Sequence, residues 1–114
     1  MKVILVADND LTRRLGLMHH RPLDKDECAV FCFEREGQHS FWNKNVDFPI
    51  SLIFCDKNKK VKDIQYLEAQ QTNGVYPKSY DITYVIEAHR DAPNTIGISH
   101  GSQMNYDGKE VYFK

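Results

Sequence analysis

Apolar positions fall into short runs separated by charged or turn-forming residues, and the spacing within each run predicts an element. Val3 to Ala7 is an uninterrupted aliphatic run, which predicts a β-strand buried on both faces. Asp8 or Asp10 then stands where a helix N-cap belongs. Leu11, Leu15 and Met18 follow at helical spacing with Arg13 and Arg14 on the wet side, so two or three helical turns are expected to end near Met18. After a polar stretch from Pro22 to Glu27, the run Cys28 to Phe33 is apolar throughout and predicts a second strand. Glu34-Arg35-Glu36-Gly37 reads as a charged turn with a glycine free to take positive φ, so about His39 to Asn43 is expected to return as an antiparallel hairpin partner.

Phe48 precedes Pro49 and is biased to extended backbone, leading into a strand from Ile50 to Cys55. Asp56 to Lys60 is a solvated turn, and Val61 to Leu67 shows partial strand alternation. Glu68 to Ser79 carries glutamine, threonine, asparagine, glycine and proline. It predicts a loop of about a dozen residues, a length often associated with function. Tyr80, Ile82, Tyr84 and Ile86 alternate with Asp81, Thr83, Val85 and Glu87, the clearest period-two pattern in the chain. Asp91-Ala92-Pro93 caps a short helix that Gly97 stops, and a turn at Asn105 to Gly108 leads to a last strand, Lys109 to Phe113. No repeat, linker or low-complexity tract interrupts this series. It predicts one mainly β domain over residues 1–114 with two small helices.

Composition narrows the classes. At 114 residues and 13.3 kDa the chain is too short for an α/β barrel, and 41% hydrophobic residues suffice for a core. A net charge of -1 removes the broad cationic field of a non-specific nucleic-acid binder, so no nucleic-acid partner is expected. On a strand, Cys28 and Cys32 would lie about 13 Å apart, beyond the reach of a disulfide or a shared metal. The three cysteines are therefore expected to be buried and reduced. The opening segment has one charge and a short apolar run, which predicts neither a secretory signal nor a membrane span, and hence a cytoplasmic protein without a membrane partner.

An ordered series of residues resembles one bacterial and archaeal family. It comprises Arg13 with Gly16-Leu17-Met18, Leu23, Phe31 and Phe33, Phe41-Trp42, Lys44-Asn45, Pro49, Phe54, Asp56 and Val61, then Tyr84-Val85, Glu87, Gly97-Ile98 and Gly101. Over roughly residues 3–104 the chain is similar to the domain of unknown function 192 family. The resemblance implies a compact, jelly-roll-like β-sandwich, or a partly open barrel, with one or two short helices, in a family without an established biochemical activity. Departures from the family pattern include Cys28-Ala29, His20 and Asn43, and two acidic positions are Ser51 and Ser102 here. Chemistry resting on those two carboxylates is expected to be missing.

Phe41-Trp42-Asn43-Lys44-Asn45 is the densest group of recognition residues. Strand alternation puts Trp42 and Lys44 on one face, and a strand ending at Lys44 would free Asn45 to bend toward the same mouth, with Arg14 or Arg21 at the rim. The competing reading packs Trp42 in the core under Lys44 and leaves Asn45 to satisfy loop backbone. His19 and His20 are adjacent and cannot readily chelate one ion, so no metal or cofactor is expected. Asp56 reads as a turn former, or as a carboxylate paired with Asp63, Glu68 or Glu87. His89 and His100 are further titratable groups beside loops. Ser40 and Ser51 lack a nucleophile elbow, and no glycine-rich loop cradles phosphate. The leading expectation is a non-enzymatic module that binds a polar or saccharide-like small molecule through Trp42, Lys44 and Asn45. An enzyme using Asp56 or a histidine as general base in the same cleft is the alternative. A third reading is a protein-interaction module, and a monomer or weak homodimer is expected.

Overall fold

A computed structural model describes residues 1–114. Seven strands and two short helices follow the order β1 (Lys2–Ala7), α1 (Asp10–Leu15), β2 (Glu27–Gly37), β3 (Ile50–Cys55), β4 (Val61–Leu67), β5 (Ile82–His89), α2 (Ala92–Ile96), β6 (Met104–Tyr106) and β7 (Val111–Phe113). The protein is mainly β. Five strands form a mixed sheet in the order β1-β2-β5-β3-β4, in which only β1 and β2 run parallel, and β6 pairs with β7.

Both faces of the large sheet are covered. On one face Phe31, Leu52, Phe54 and Val85 pack under Leu17, Leu23, Val46 and Phe48, contributed by the segments that follow α1 and precede β3. On the other, Val30, Ile53 and Ile86 pack under Ala92, Ile98, Met104 and Val111. The C-terminal segment spans from one sheet edge to the other. Val111 and Lys109 exchange backbone hydrogen bonds with Met1 and Val3 beside β1, while the Ser102 carbonyl accepts from Val61 at the start of β4. Edge strands with unpaired backbone invite association, and this strap covers part of both.

Three expectations are corrected. β1 is only half-buried, because it lies at the sheet edge and turns Lys2 and Val6 outward. Gly37 does not turn the chain. Its φ is not positive, so β2 runs on to pair Gly37 with Ile82, and the chain from Gln38 to Pro49 leaves the sheet instead of forming a hairpin at His39 to Asn43. Phe41 keeps a single bridge, to Val75. The first helix is also shorter and rotated. Asn9, not Asp8 or Asp10, caps it through a reciprocal box with Thr12, and Gly16 ends it before Met18. Leu11 and Leu15 point to solvent while Arg13 turns inward.

Gly16 holds φ 47° and ψ -129°, a region that a Cβ makes costly, and an added Cβ would lie 3.3 Å from Phe31 Cζ. Gly16→Ala is expected to destabilise by about 1–3 kcal/mol in urea unfolding. An unchanged midpoint would show that the turn relaxes freely.

Candidate functional site

A cleft of ≈ 190 Å³ opens on the sheet face that carries Phe31, between the Gly16–Met18 turn and the segment from Ser40 to Val46. Phe31, Phe33, Phe41 and Trp42 are the aromatic part of its lining. Phe31 and Phe41 meet edge to face at 5.1 Å, and Phe33 stacks on His39 at 3.7 Å. Trp42 stands at the mouth, 47% exposed, with Lys44 Nζ 5.5 Å over its ring. On its other side Trp42 borders a second groove with Ser40, Thr72 and Tyr76, so the indole is a ridge between two hollows.

Cations occupy the rim. Arg13 is the anchored one: Nη1 donates to the Cys32 carbonyl at 2.7 Å, Nη2 donates to Asp10 at 3.0 Å and Glu34 at 3.3 Å, and the guanidinium lies over Phe33. Arg14 is exposed and, like Lys44, forms no ion pair within the chain. The rim thus offers two cations whose charge no protein carboxylate neutralises.

At the floor is Glu87, on the central strand β5, between Ala29 of β2 and Leu52 of β3. The residue is 4% exposed, and its carboxyl, which bonds no protein group, meets solvent only through the cleft. Burial alone pushes it up to about 8. A carboxyl held this way is mostly protonated at neutral pH, and in that form it can both donate and accept.

The remaining expected site residues lie elsewhere. Asn45 adopts φ 60°, its N–H donates to Gln70 Oε1 at 3.1 Å, and its carbonyl accepts from His19, so it ties two loops together outside the cleft. The expected bend toward the mouth required a strand through Lys44, which does not form. Arg21 makes a bidentate pair with Glu27, both contacts 2.8 Å, and with the Asp24 N–H it draws the buried Glu27 carboxylate down to about 2. Asp56 is the turn former: Oδ1 accepts from the Asn58 and Lys60 N–H groups, each at 2.9 Å. It stands roughly 13 Å along β3 from the position opposite Glu87, too far for a carboxylate pair. No histidine lines the cleft, so the expected base at Asp56 or a histidine is displaced, and Glu87 is the titratable acid present.

The departures noted in the sequence serve packing. Asn43 is buried and its Nδ2 donates to the Phe48 and Glu68 carbonyls, each at 3.0 Å, stapling the cleft segment to the loop after β4. Ser51 donates to the His89 carbonyl at 3.0 Å, and Ser102 Oγ accepts from the Ser99 N–H. Neither serine borders the cleft. All three cysteines are free. Burial pushes Cys28 and Cys55 up to about 12, which makes both unreactive at neutral pH. No three histidine, cysteine or acidic side chains gather closely enough to hold a metal, and no helix is long and apolar enough to cross a membrane.

Arg13 is the residue that the sequence pattern misassigned, and Glu87 was named only as a partner for Asp56. Glu87 shares the period-two register of Asp81 and Thr83, which by itself does not say that its face is covered. The signal was its neighbourhood, since Val85, Ile86 and Ala88 leave it the one charge in an apolar run. Arg13, Gly16, Phe31, Phe33, Trp42 and Glu87 all belong to the series on which the family resemblance rests, and all six line this cleft.

Comparison with solved structures supports the fold. A proposed transcription regulator from Sinorhizobium meliloti 1021 superposes with a TM-score of 0.81 at 20% identity, covering 97% of this chain and 80% of its own. A protein of unknown function from Novosphingobium aromaticivorans DSM 12444 gives 0.79 at 20% identity, covering 93% of this chain and 71% of its own. At that identity the likeness concerns architecture alone. No curated protein matches the chain. The family model described as DUF192, Uncharacterized ACR, matches residues 2–106, nearly the whole length, and the chain is therefore a member of the DUF192 family.

Proposed function

We propose that the protein is a binding module for a polar, saccharide-like small molecule held in the Trp42 cleft. The observation that carries this reading is the convergence there of an exposed indole, two cations without carboxylate partners and an unpartnered buried carboxyl. Sites for drug-sized ligands run from about 300 to 1,000 Å³. At ≈ 190 Å³ the cleft suits a single ring-sized molecule instead of a chain of them. The indole face would stack on the C–H face of such a ring, while Arg14 and Lys44 meet polar or anionic substituents. Asn45, Arg21 and Asp56 take no part, being engaged in loops and in an ion pair away from the cleft.

Trp42 is the sole tryptophan, so its emission reports directly on the mouth of the site. Titration with monosaccharides and sugar acids is expected to shift that emission and saturate. Trp42→Ala, followed by calorimetry, is expected to weaken binding about tenfold, the size of an aromatic stacking contact with its apolar burial. Equal heats of binding in the wild type and Trp42→Ala, or no binding by any probe, would remove the reading.

A further inference from the structure

Glu87 lacks an explanation within the fold. An acidic side chain on a central strand, 4% exposed and bonded to no protein donor or acceptor, is costly to bury; no side-chain oxygen of the chain is sealed off without a partner, so the Glu87 oxygens keep their access through the cleft. Packing does not require it, because its cross-strand neighbours Ala29 and Leu52 are apolar and a leucine would continue the same layer. What distinguishes its position is that the carboxyl faces the cleft.

Charge at the opposite end fixes what could reach it. Among the elements packed around Glu87, β2, β3 and the Gly16–Met18 turn present no charged group to the cleft, α1 presents Arg13 and Arg14, and the Ser40–Val46 segment presents Lys44. Arg13 is already paired with Asp10 and Glu34. None of the three cations perturbs Glu87, whose proton is held by burial alone, so rim and floor are separate polar stations joined by aromatic walls. A cationic ligand would have to pass Arg14 and Lys44, whereas an acid would be drawn to them.

We infer, resting on the binding reading above, that Glu87 is the specificity residue of the cleft. In its neutral form it donates a hydrogen bond to a hydroxyl or carbonyl oxygen at the buried end of the ligand, whose other end is an acid group paired with Arg14 and Lys44. The ligand class is thus a sugar acid or hydroxy acid of monosaccharide size. Neutral sugars lack the anchoring acid group. Once ionised, Glu87 has no proton to give and would turn two acceptors toward the ligand oxygen.

Trp42 fluorescence titrations with D-glucuronate, D-gluconate and D-glucose between pH 6 and 9 test this. At pH 6.5 at least one acid is expected to bind at least tenfold more tightly than glucose. Its affinity is expected to be about tenfold lower at pH 9 than at pH 7, the effect of one proton lost near pH 8. Glu87→Gln, whose amide still donates, is expected to retain binding with a flat pH profile. Glu87→Leu, which keeps the volume but has no donor, is expected to lose tenfold or more at every pH while remaining folded by circular dichroism. Lys44→Arg, which keeps the rim charge, is expected to preserve the pH profile. A flat wild-type profile, undiminished binding by Glu87→Leu, or glucose binding as tightly as both acids overturns the role of Glu87 while leaving a Trp42-dependent binding module. No response of Trp42 to any of the three overturns both.

Discussion

Between pH 4.5 and pH 8 the folded protein is expected to lose roughly 3–5 kcal/mol of stability, and Glu87→Gln is expected to lose almost none over the same range. The carboxyl of Glu87 is raised from 4.5 to about 8 in the folded chain because burial disfavours its charge. Each pH unit of displacement is worth about 1.4 kcal/mol, which sets the upper end, and water entering the cleft sets the lower. In that window the native state keeps a proton that the unfolded chain releases, so stability falls as pH rises. Its contribution is complete below pH 4.5 and gone above pH 8. Glu27 works with the opposite sign. Its carboxylate, drawn down to about 2 by Arg21 and the Asp24 N–H, stabilises above pH 4.5, and that stabilisation is lost as pH falls toward 2. Stability should therefore peak near pH 4.5 to 5. Urea midpoints measured from pH 3 to pH 9 decide it, and superimposable wild-type and Glu87→Gln profiles would show that the carboxyl is solvated.

Phe31→Ala is expected to cost about 3–5 kcal/mol, the largest effect of any single truncation near the cleft. The ring is 1% exposed, meets Phe41 edge to face, and lies directly beneath the Gly16 turn, so its removal leaves a void bounded by backbone that cannot close over it. Phe33→Ala makes the comparison. Phe33 is only half-buried, with His39 stacked on it and Arg13 above, and water can fill the space it leaves. A cost below about 2 kcal/mol is expected there. Denaturant unfolding with an unchanged m-value reads both numbers, and a Phe31→Ala cost no greater than that of Phe33→Ala would place the rigid floor of the cleft elsewhere.

The strands were legible wherever an apolar run was bounded by turn chemistry. β3 matches its predicted span residue for residue, and so does β4, because Pro49 and the Asp56 to Lys60 turn mark their ends. The short helix between Asp91 and Gly97 was equally clear in its bounds, although the Asp91 side chain makes no capping hydrogen bond and Pro93 in the first turn and Gly97 at the end define it. Failures came where a local signal had two outcomes that only tertiary contacts separate. Gly37 is free to turn or to stay extended, and pairing with Ile82 decides for the latter. Leu11 and Leu15 carry helical spacing, yet the Cys32 carbonyl and the Phe33 ring capture Arg13 and rotate those leucines into water. Of the candidate site, Trp42, Lys44 and Arg14 were readable as exposed recognition groups. Glu87 was readable only as a carboxylate that could pair with Asp56, not as a lone buried acid, because alternation identifies opposite faces of a strand without saying whether both are covered.

The position of β5 has a consequence for synthesis. The strand inserted between β2 and β3 is encoded after both of them, so a ribosome that has released residues through Leu67 has made two half-sheets whose facing edges have nothing to pair with. Until the next two dozen residues emerge, the backbone donors and acceptors along those edges stay open to other chains, the condition under which nascent polypeptides aggregate. Glu87 lies near the end of the late strand, so the buried acid at the floor of the cleft arrives with the segment that closes the sheet.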